Sequence, residues 1–455
     1  MRRLLAVPLL VLGVAPAAAA APFTVGSGQN GGVAVDDGGT AYVGWQVDTG
    51  GPADAVQLCV LPPRATACAP STTVAFPGSG YNRSRVSVLL PAPGTVDVVV
   101  PRTNGGGAYT FLARSTDGGR SFAPAVRIAG KGFAEGVQAS GGRVALVDGV
   151  VLRAGLFSTA GADAGAEGSS LGEVLDGQFN DIAVAGEEVL AAGSYTGGTH
   201  AYRLPAGANP NEPESWQQTA DPAPGAREPQ LVGLPSGFAA MFEPSSATAR
   251  SLFVQRLEGA TWSPPVAVAP VLNQDFRLLG NAKGRLTALI TASRPYRLTY
   301  TTSTDGGVLW SSLVTVARYG QFPSALEGGM AADGGGAAVV DYSLAYKSVR
   351  VARFSPRSAP VARRRFGSAR VQVRSVCDGA RLSLVVEAAR GSRRVAPSAV
   401  LRSARFDRAR GARRGFRTRF RARYELTRRS ARVPVRVTPR SGRARTLRLR
   451  VRRCA

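Results

Sequence analysis

The chain holds one histidine, His200, four cysteines and three methionines among 455 residues. A Ser-His-Asp triad would have to use His200, and no G-x-S-x-G stands with it. A zinc centre needs three or four protein ligands, and neither H-E-x-x-H nor C-x-x-C occurs. Metalloprotease, zinc-knuckle and thioredoxin-type chemistry are therefore excluded, and His200 reads as a loop residue. Gly26-Ser27-Gly28-Gln29-Asn30-Gly31 matches G-x-G-x-x-G, but no helix pattern follows, so a dinucleotide fold is not expected. No cofactor and no metal are expected. Long apolar runs are missing too. The one at Leu4–Val14 is short for a bilayer span. It follows Met1-Arg2-Arg3 and precedes the small residues Ala15 to Ala21, the pattern of a cleaved signal peptide over 1–21. A secreted or cell-surface protein without a transmembrane span is expected, and a monomer.

Acidic residues are scarce in one region only. From residue 361 onward there are 30 arginines, no lysine and four acids (Asp378, Glu387, Asp407, Glu425), which accounts for the whole net charge of +26. The first 360 residues balance, with 26 basic and 26 acidic side chains. The chain thus divides by charge, and the expected organisation is a domain over 22–356, a linker over 357–362 and a basic domain over 363–455.

Across the balanced region a single pattern recurs: a short apolar run, a turn with glycine, and a second apolar run. Examples are VAVDDGGTAYVGW from Val33, IAVAGEEVLAAGSY from Ile182 and GMAADGGGAAVVDY from Gly329. The turn glycines are Gly39, Gly94, Gly142, Gly186, Gly237, Gly284 and Gly335, spaced by 55, 48, 44, 51, 47 and 51 residues. Glycine supplies the positive φ of tight hairpin turns. Strands apolar on nearly every residue are covered on both faces. More polar hairpins lie between the copies, at Ala108–Ile128, Ser251–Ala269 and Arg297–Ala317. Four strands per repeat of about 50 residues describe a propeller blade. The expectation is an all-β chain: a β-propeller of about seven four-stranded blades, six as the alternative, then a small arginine-rich β-sandwich-like domain. The seventh repeat is one strand short, and Pro22–Ser27 is placed to complete it.

Two polar hairpins carry Ser115-Thr116-Asp117-Gly118-Gly119-Arg120-Ser121-Phe122 and Ser303-Thr304-Asp305-Gly306-Gly307-Val308-Leu309-Trp310. Both fit S-x-D-x-G-x-x-W/F. This resembles the Asp-box, or BNR repeat, of sialidases and related propellers. There the motif is structural, in the turn between the third and fourth strands, so Asp117 and Asp305 are not a catalytic pair. The resemblance also implies an arginine triad for a substrate carboxylate, a Tyr–Glu nucleophile pair and an Asp acid/base. The R-I-P motif that carries the family's first arginine is missing. Arg83 and Arg85 come nearest but lack the following Ile-Pro. No residue carries over onto the triad. The favoured function is therefore a non-enzymatic binding propeller contacting glycan or cell-surface polyanion. The alternative is a sialidase-like hydrolase acting on acidic sugars.

A propeller builds its ligand face from loops between blades and between second and third strands. The repeat maps Arg83, Asn104, Asp181, Tyr195, Arg227, Glu228, Glu243, Asp275, Arg277, Arg294, Tyr296, Asp341 and Tyr342 there.

In the basic region, Ala369–Arg374, Arg432–Val437 and Leu447–Arg452 alternate apolar with arginine, and Arg381–Ala389 is a further strand candidate. An arginine face suits anionic polymers. Aromatics are sparse (Phe406, Phe416, Phe420, Tyr424), so nucleic acid is disfavoured. Four cysteines in an exported chain suggest two disulfides. One pair per domain gives Cys59–Cys68 and Cys377–Cys454.

Overall fold

The computed structural model describes residues 22–354 with short interruptions, the longest at 159–179, and strands between 362 and 452. The expected signal peptide and most of the expected linker lie outside the described residues. Among those described, the helical content is one 3-10 turn at Pro213–Ser215, and none is a helix long and apolar enough to cross a membrane. His200 belongs to the strand Gly198–Leu204, not a loop, and its Nδ1 lies 2.8 Å from Asp221 Oδ1. The G-x-G-x-x-G segment runs through strands Phe23–Ser27 and Gln29–Val35, with no helix after it.

Antiparallel sheets succeed one another along the chain, each described from its innermost strand outward. The first holds Gln29–Val35, Ala41–Val47, Ala55–Leu61 and Ser71–Val74. The second holds Ser87–Leu89, Val96–Asn104, Gly107–Ser115 and Val126–Lys131. The third has three strands among the described residues, Ala134–Ser140, Arg143–Asp148 and Arg153–Ser158, and the stretch that would carry a fourth, 159–179, lies outside them. The fourth begins Asp181–Ala185 and Glu188–Tyr195, the fifth Ala226–Leu234 and Gly237–Pro244, the sixth Phe276–Gly280 and Leu286–Ala292. The last holds Ala325–Met330, Ala337–Ser343 and Ser348–Phe354. Its outer strand is Phe23–Ser27, which pairs antiparallel with Ser348–Phe354 as the short repeat required.

Neighbouring innermost strands touch in sequence, and Ala325–Met330 touches Gln29–Val35, so the ring closes in a β-propeller arrangement. Closure ties the two ends of the ring and covers the outer edge of Ser348–Phe354. Of the turn glycines read from the repeat, Gly39, Gly94, Gly186, Gly237 and Gly284 have φ between 63° and 121°. Gly142 and Gly335 lie outside the described residues. Val96, Val98, Val99 and Val100 are all buried, since both faces of such a strand are covered by adjoining sheets. At Gly32 the innermost strand meets its neighbour with no room for a side chain: a Cβ there would sit 1.9 Å from Val86 O.

The two motif-bearing turns lie between third and fourth strands, after Gly107–Ser115 and after Arg297–Ser303. Ser115 Oγ accepts the Gly119 N–H at 2.8 Å, and Ser303 Oγ accepts the Gly307 N–H at 2.8 Å. Asp117 accepts from the Ser121 hydroxyl at 2.6 Å and from the backbone N–H groups of Arg120 and Ser121 at 3.0 Å. The Ser121 hydroxyl, with those donors and Ser115, holds the Asp117 carboxyl well below the usual carboxylate range. Asp305 lies outside the described residues. Trp310 is buried beneath its turn, with Nε1 donating to Gly307 O at 3.0 Å, while Phe122 is half-buried. Each turn also docks on the preceding sheet: Gly119 lies against Leu58 and Val60, and Gly307 against Val254.

The first sheet has a disulfide in the equivalent place, Cys59–Cys68, with Cα atoms 5.1 Å apart. The expected Cys377–Cys454 pair lies outside the described side chains. In the basic region the strands form a five-stranded sheet and a three-stranded sheet made of Ser392–Pro397, Ser430–Pro439 and Arg445–Arg452. Arg381–Ala389 is a central strand of the larger one.

Candidate functional site at the mouth of the ring

Strand pairing brings the starts of innermost strands beside the ends of second strands. Asp181 is opposite Ala192, Arg227 opposite Glu243, and Leu326 opposite Asp341. Two polar groups assemble at this end.

The first group sits on the innermost strands and unites Arg85, Asp181, Asp275, Arg277 and Glu327. Arg277 Nη1 donates to Asp275 Oδ1 at 2.8 Å, and its Nη2 to Glu327 Oε1 at 3.2 Å. Arg85 donates to the same Glu327 oxygen. The Asp181 carboxylate is held by backbone: Oδ1 accepts the Ile182 N–H at 2.9 Å and Oδ2 the Leu231 N–H at 2.6 Å. Burial pushes Asp181 up to about 7, against the pull of those two N–H groups. Burial likewise pushes Asp275 up to about 6, with Arg85 opposing. Glu327 is raised by burial and lowered by Arg85. Its side chain keeps 23 % of its area accessible, so water reaches a carboxylate that protein otherwise surrounds. In this group three acids share two guanidiniums, and both guanidiniums are engaged by carboxylates.

The second group lies on the fourth and fifth sheets. A β-bulge between Arg227 and Gln230 places Glu228 at φ 48°, a conformation that is uncommon for a residue with a Cβ. Its N–H donates to Ser194 Oγ at 2.8 Å, and the Ser194 N–H donates to Asn180 Oδ1 at 2.7 Å. The bulge exposes both Arg227 and Glu228, beside the half-buried Glu243. Burial raises Glu243, Glu228 adds to the rise, and Arg227 opposes it. Two carboxylates and a guanidinium in one patch can accept from and donate to sugar hydroxyls in paired fashion.

Of the residues mapped to this face from the repeat, Asp181, Asp275 and Arg277 meet in the first group, and Arg227, Glu228 and Glu243 in the second. Tyr195 ends the strand next to Ser194; Asn104, Asp341 and Tyr342 end or nearly end second strands, their side chains outside the described set. Arg83, Arg294 and Tyr296 lie outside the described residues. Glu327 is absent from the residues that the repeat maps to this face, and Arg85 enters the sequence reading only as a near miss for a triad arginine. A signal exists: Glu327 stands eight residues before turn glycine Gly335, and Arg277 seven before Gly284.

No protein-family model matches the chain, and no curated protein matches it. Solved structures do match. One is the Hadza microbial sialidase Hz136, at 13% identity and a TM-score of 0.40, covering 73% of this chain and 66% of that one. The chain therefore spans just under two thirds of that sialidase's length. Another is a triple arginine-to-alanine mutant of AofleA from Arthrobotrys oligospora, at 11% identity and a TM-score of 0.41, covering 73% of this chain and 84% of that one.

Proposed function

We propose that this chain is a secreted, non-enzymatic propeller that binds extracellular glycan through the Arg227–Glu228–Glu243 patch. In this reading each sheet is one blade, the two motif turns are Asp-boxes, and the arginine-rich sheets form a sandwich that contacts cell-surface polyanion. The observation that carries it is the pairing of Arg85 and Arg277 with Glu327 and Asp275. Arginines committed in this way are poorly placed to bind and turn over an acidic sugar. The bulge at Glu228 supports the location, because bulges re-aim side chains beside functional sites.

A second reading has its own observation. Glu243, raised by burial beside Glu228, would suit the protonated member of a glycosidase carboxylate pair. The test is a glycan array run with the full chain and with Arg227→Ala, alongside a fluorogenic sialoside assay. Binding lost in Arg227→Ala, with no turnover, supports the binding role. Turnover abolished by Glu243→Gln would establish the hydrolase.

A further inference from the structure

We propose that one face of the C-terminal three-stranded sheet is a docking surface for a linear acidic polysaccharide. This rests on the polyanion contact proposed above and names the face that makes it.

The strand registers define that face. Arg432 stands directly opposite Arg450, Pro434 opposite Arg448, Ser430 opposite Arg452, and Arg436 opposite Thr446. Arg394 is opposite Thr438 on the third strand. Positions alternate across a strand, so Arg394, Arg432, Arg436, Arg448, Arg450 and Arg452 share one face. The other face takes Ala431, Val433, Val435, Val437, Leu447, Leu449 and Val451, with Arg445 at its end. These three strands contain no acidic residue.

In the propeller, Arg114 is bonded to Asp97, Arg203 to Glu188, Arg277 to Asp275 and Arg85 to Glu327. On the three-stranded sheet, Arg432 and Arg450 occupy directly opposed positions. Like charges directly opposite in an antiparallel pair repel. With four acids against 30 arginines after residue 360, this region cannot balance its own charge. A polyanion can, and it would release its condensed counterions on doing so.

The face also selects among polyanions. Its strands contain no aromatic residue, so it has no platform on which bases could stack. It offers no apolar residue beyond Pro434 and Ala396 to enter a lipid surface. Adjacent arginine rows are about 4.8 Å apart across strands and about 7 Å apart along them, a grid for charges repeated along an extended polymer.

The experiment titrates the full chain with polygalacturonate, a single-stranded oligonucleotide of random sequence, and vesicles carrying anionic lipid, over a range of salt. The variant is Arg448→Gln/Arg450→Gln/Arg452→Gln. A charge-keeping partner, Arg448→Lys/Arg450→Lys/Arg452→Lys, controls for folding. The expected result is that polygalacturonate binds most tightly at equal salt. The Gln variant should lose at least about tenfold in affinity, with a salt slope shallower by about two, since each lost contact removes about 0.7–0.9 from the slope. The Lys variant should stay within about threefold of the parent chain, because screened point charges carry most of the attraction. Unchanged binding by the Gln variant would overturn the assignment of the face. Tighter binding of the oligonucleotide or the vesicles would overturn the choice of polysaccharide. Neither outcome touches the glycan patch at Glu228, which is read in high salt with these arginines intact.

Discussion

Asp275 Oδ2 accepts the backbone N–H of Leu326 at 3.1 Å, joining two sheets whose contact residues lie 51 apart in the chain. Asp181 does the same for Leu231 at 2.6 Å, 50 residues on. A carboxylate at the start of one innermost strand thus fastens the next. The first and second sheets are joined by backbone at this level, through the Val86 N–H and Asn30 O at 2.9 Å. Two of the acids at the mouth are therefore joints of the ring as well as surface chemistry.

That arrangement gives the ring a pH dependence. The folded pKa values of Asp181 and Asp275, about 7 and about 6, lie above the ordinary aspartate value of 3.8. Folding then favours the protonated acids, and their contribution is fully present below about pH 4 and lost as pH rises toward 7. Each should cost about 1–2 kcal/mol between those limits, allowing for the water that reaches the site. Denaturant melts at pH 5 and pH 8 check this. The difference between the two should shrink in Asp181→Asn and again in Asp181→Asn/Asp275→Asn, and an unchanged difference would refute it.

Gly119 is a tight point between the first two sheets. Its φ is 87°, and a Cβ there would lie 2.8 Å from Leu58 Cδ2. Gly119→Ala should cost about 2–3 kcal/mol, from left-handed strain and the clash together. Gly118→Ala, at φ 73° with open space around it, should cost about 1 kcal/mol. Equal losses for the two in urea melts would argue against docking of this turn on the neighbouring sheet.

The Cys59–Cys68 bridge closes a loop across a separation of nine residues. On chain-entropy grounds, reducing it should lower stability by about 2–3 kcal/mol. Guanidinium melts with and without reductant measure this, with Cys59→Ala/Cys68→Ala as the control that isolates this bridge from any other.

The strand Phe23–Ser27 closes the last sheet. Deleting residues 22–27 exposes the edge of Ser348–Phe354, and an open edge is a template for self-pairing. Size-exclusion chromatography should show larger species and the melting midpoint should fall; a monodisperse, equally stable protein would contradict the seam.

Much of the ring is legible in the sequence because its strands obey two simple constraints. Burial on both faces makes inner strands apolar throughout, and their hairpin turns need glycine, as at Gly39 and Gly186. Closure by Phe23–Ser27 follows from counting strands. The mouth is less legible. Glu327 sits inside an otherwise apolar strand and reads as part of it, and apart from its spacing to Gly335 it is its partners on two other sheets that show its place. The positive φ at Glu228 has no marker in its side chain; it arises at a bulge that glycine or asparagine would ordinarily signal.

Binding of glycan at the mouth of the propeller, without cleavage, is tested most directly by a glycan array on the full chain in 1 M salt. There the Debye length falls to about 3 Å and arginine contacts with polyanions are screened. The expected result is a specific set of bound glycans, lost in Arg227→Ala and recovered intact after incubation. Binding that vanishes in salt, or glycans recovered cleaved, would contradict it.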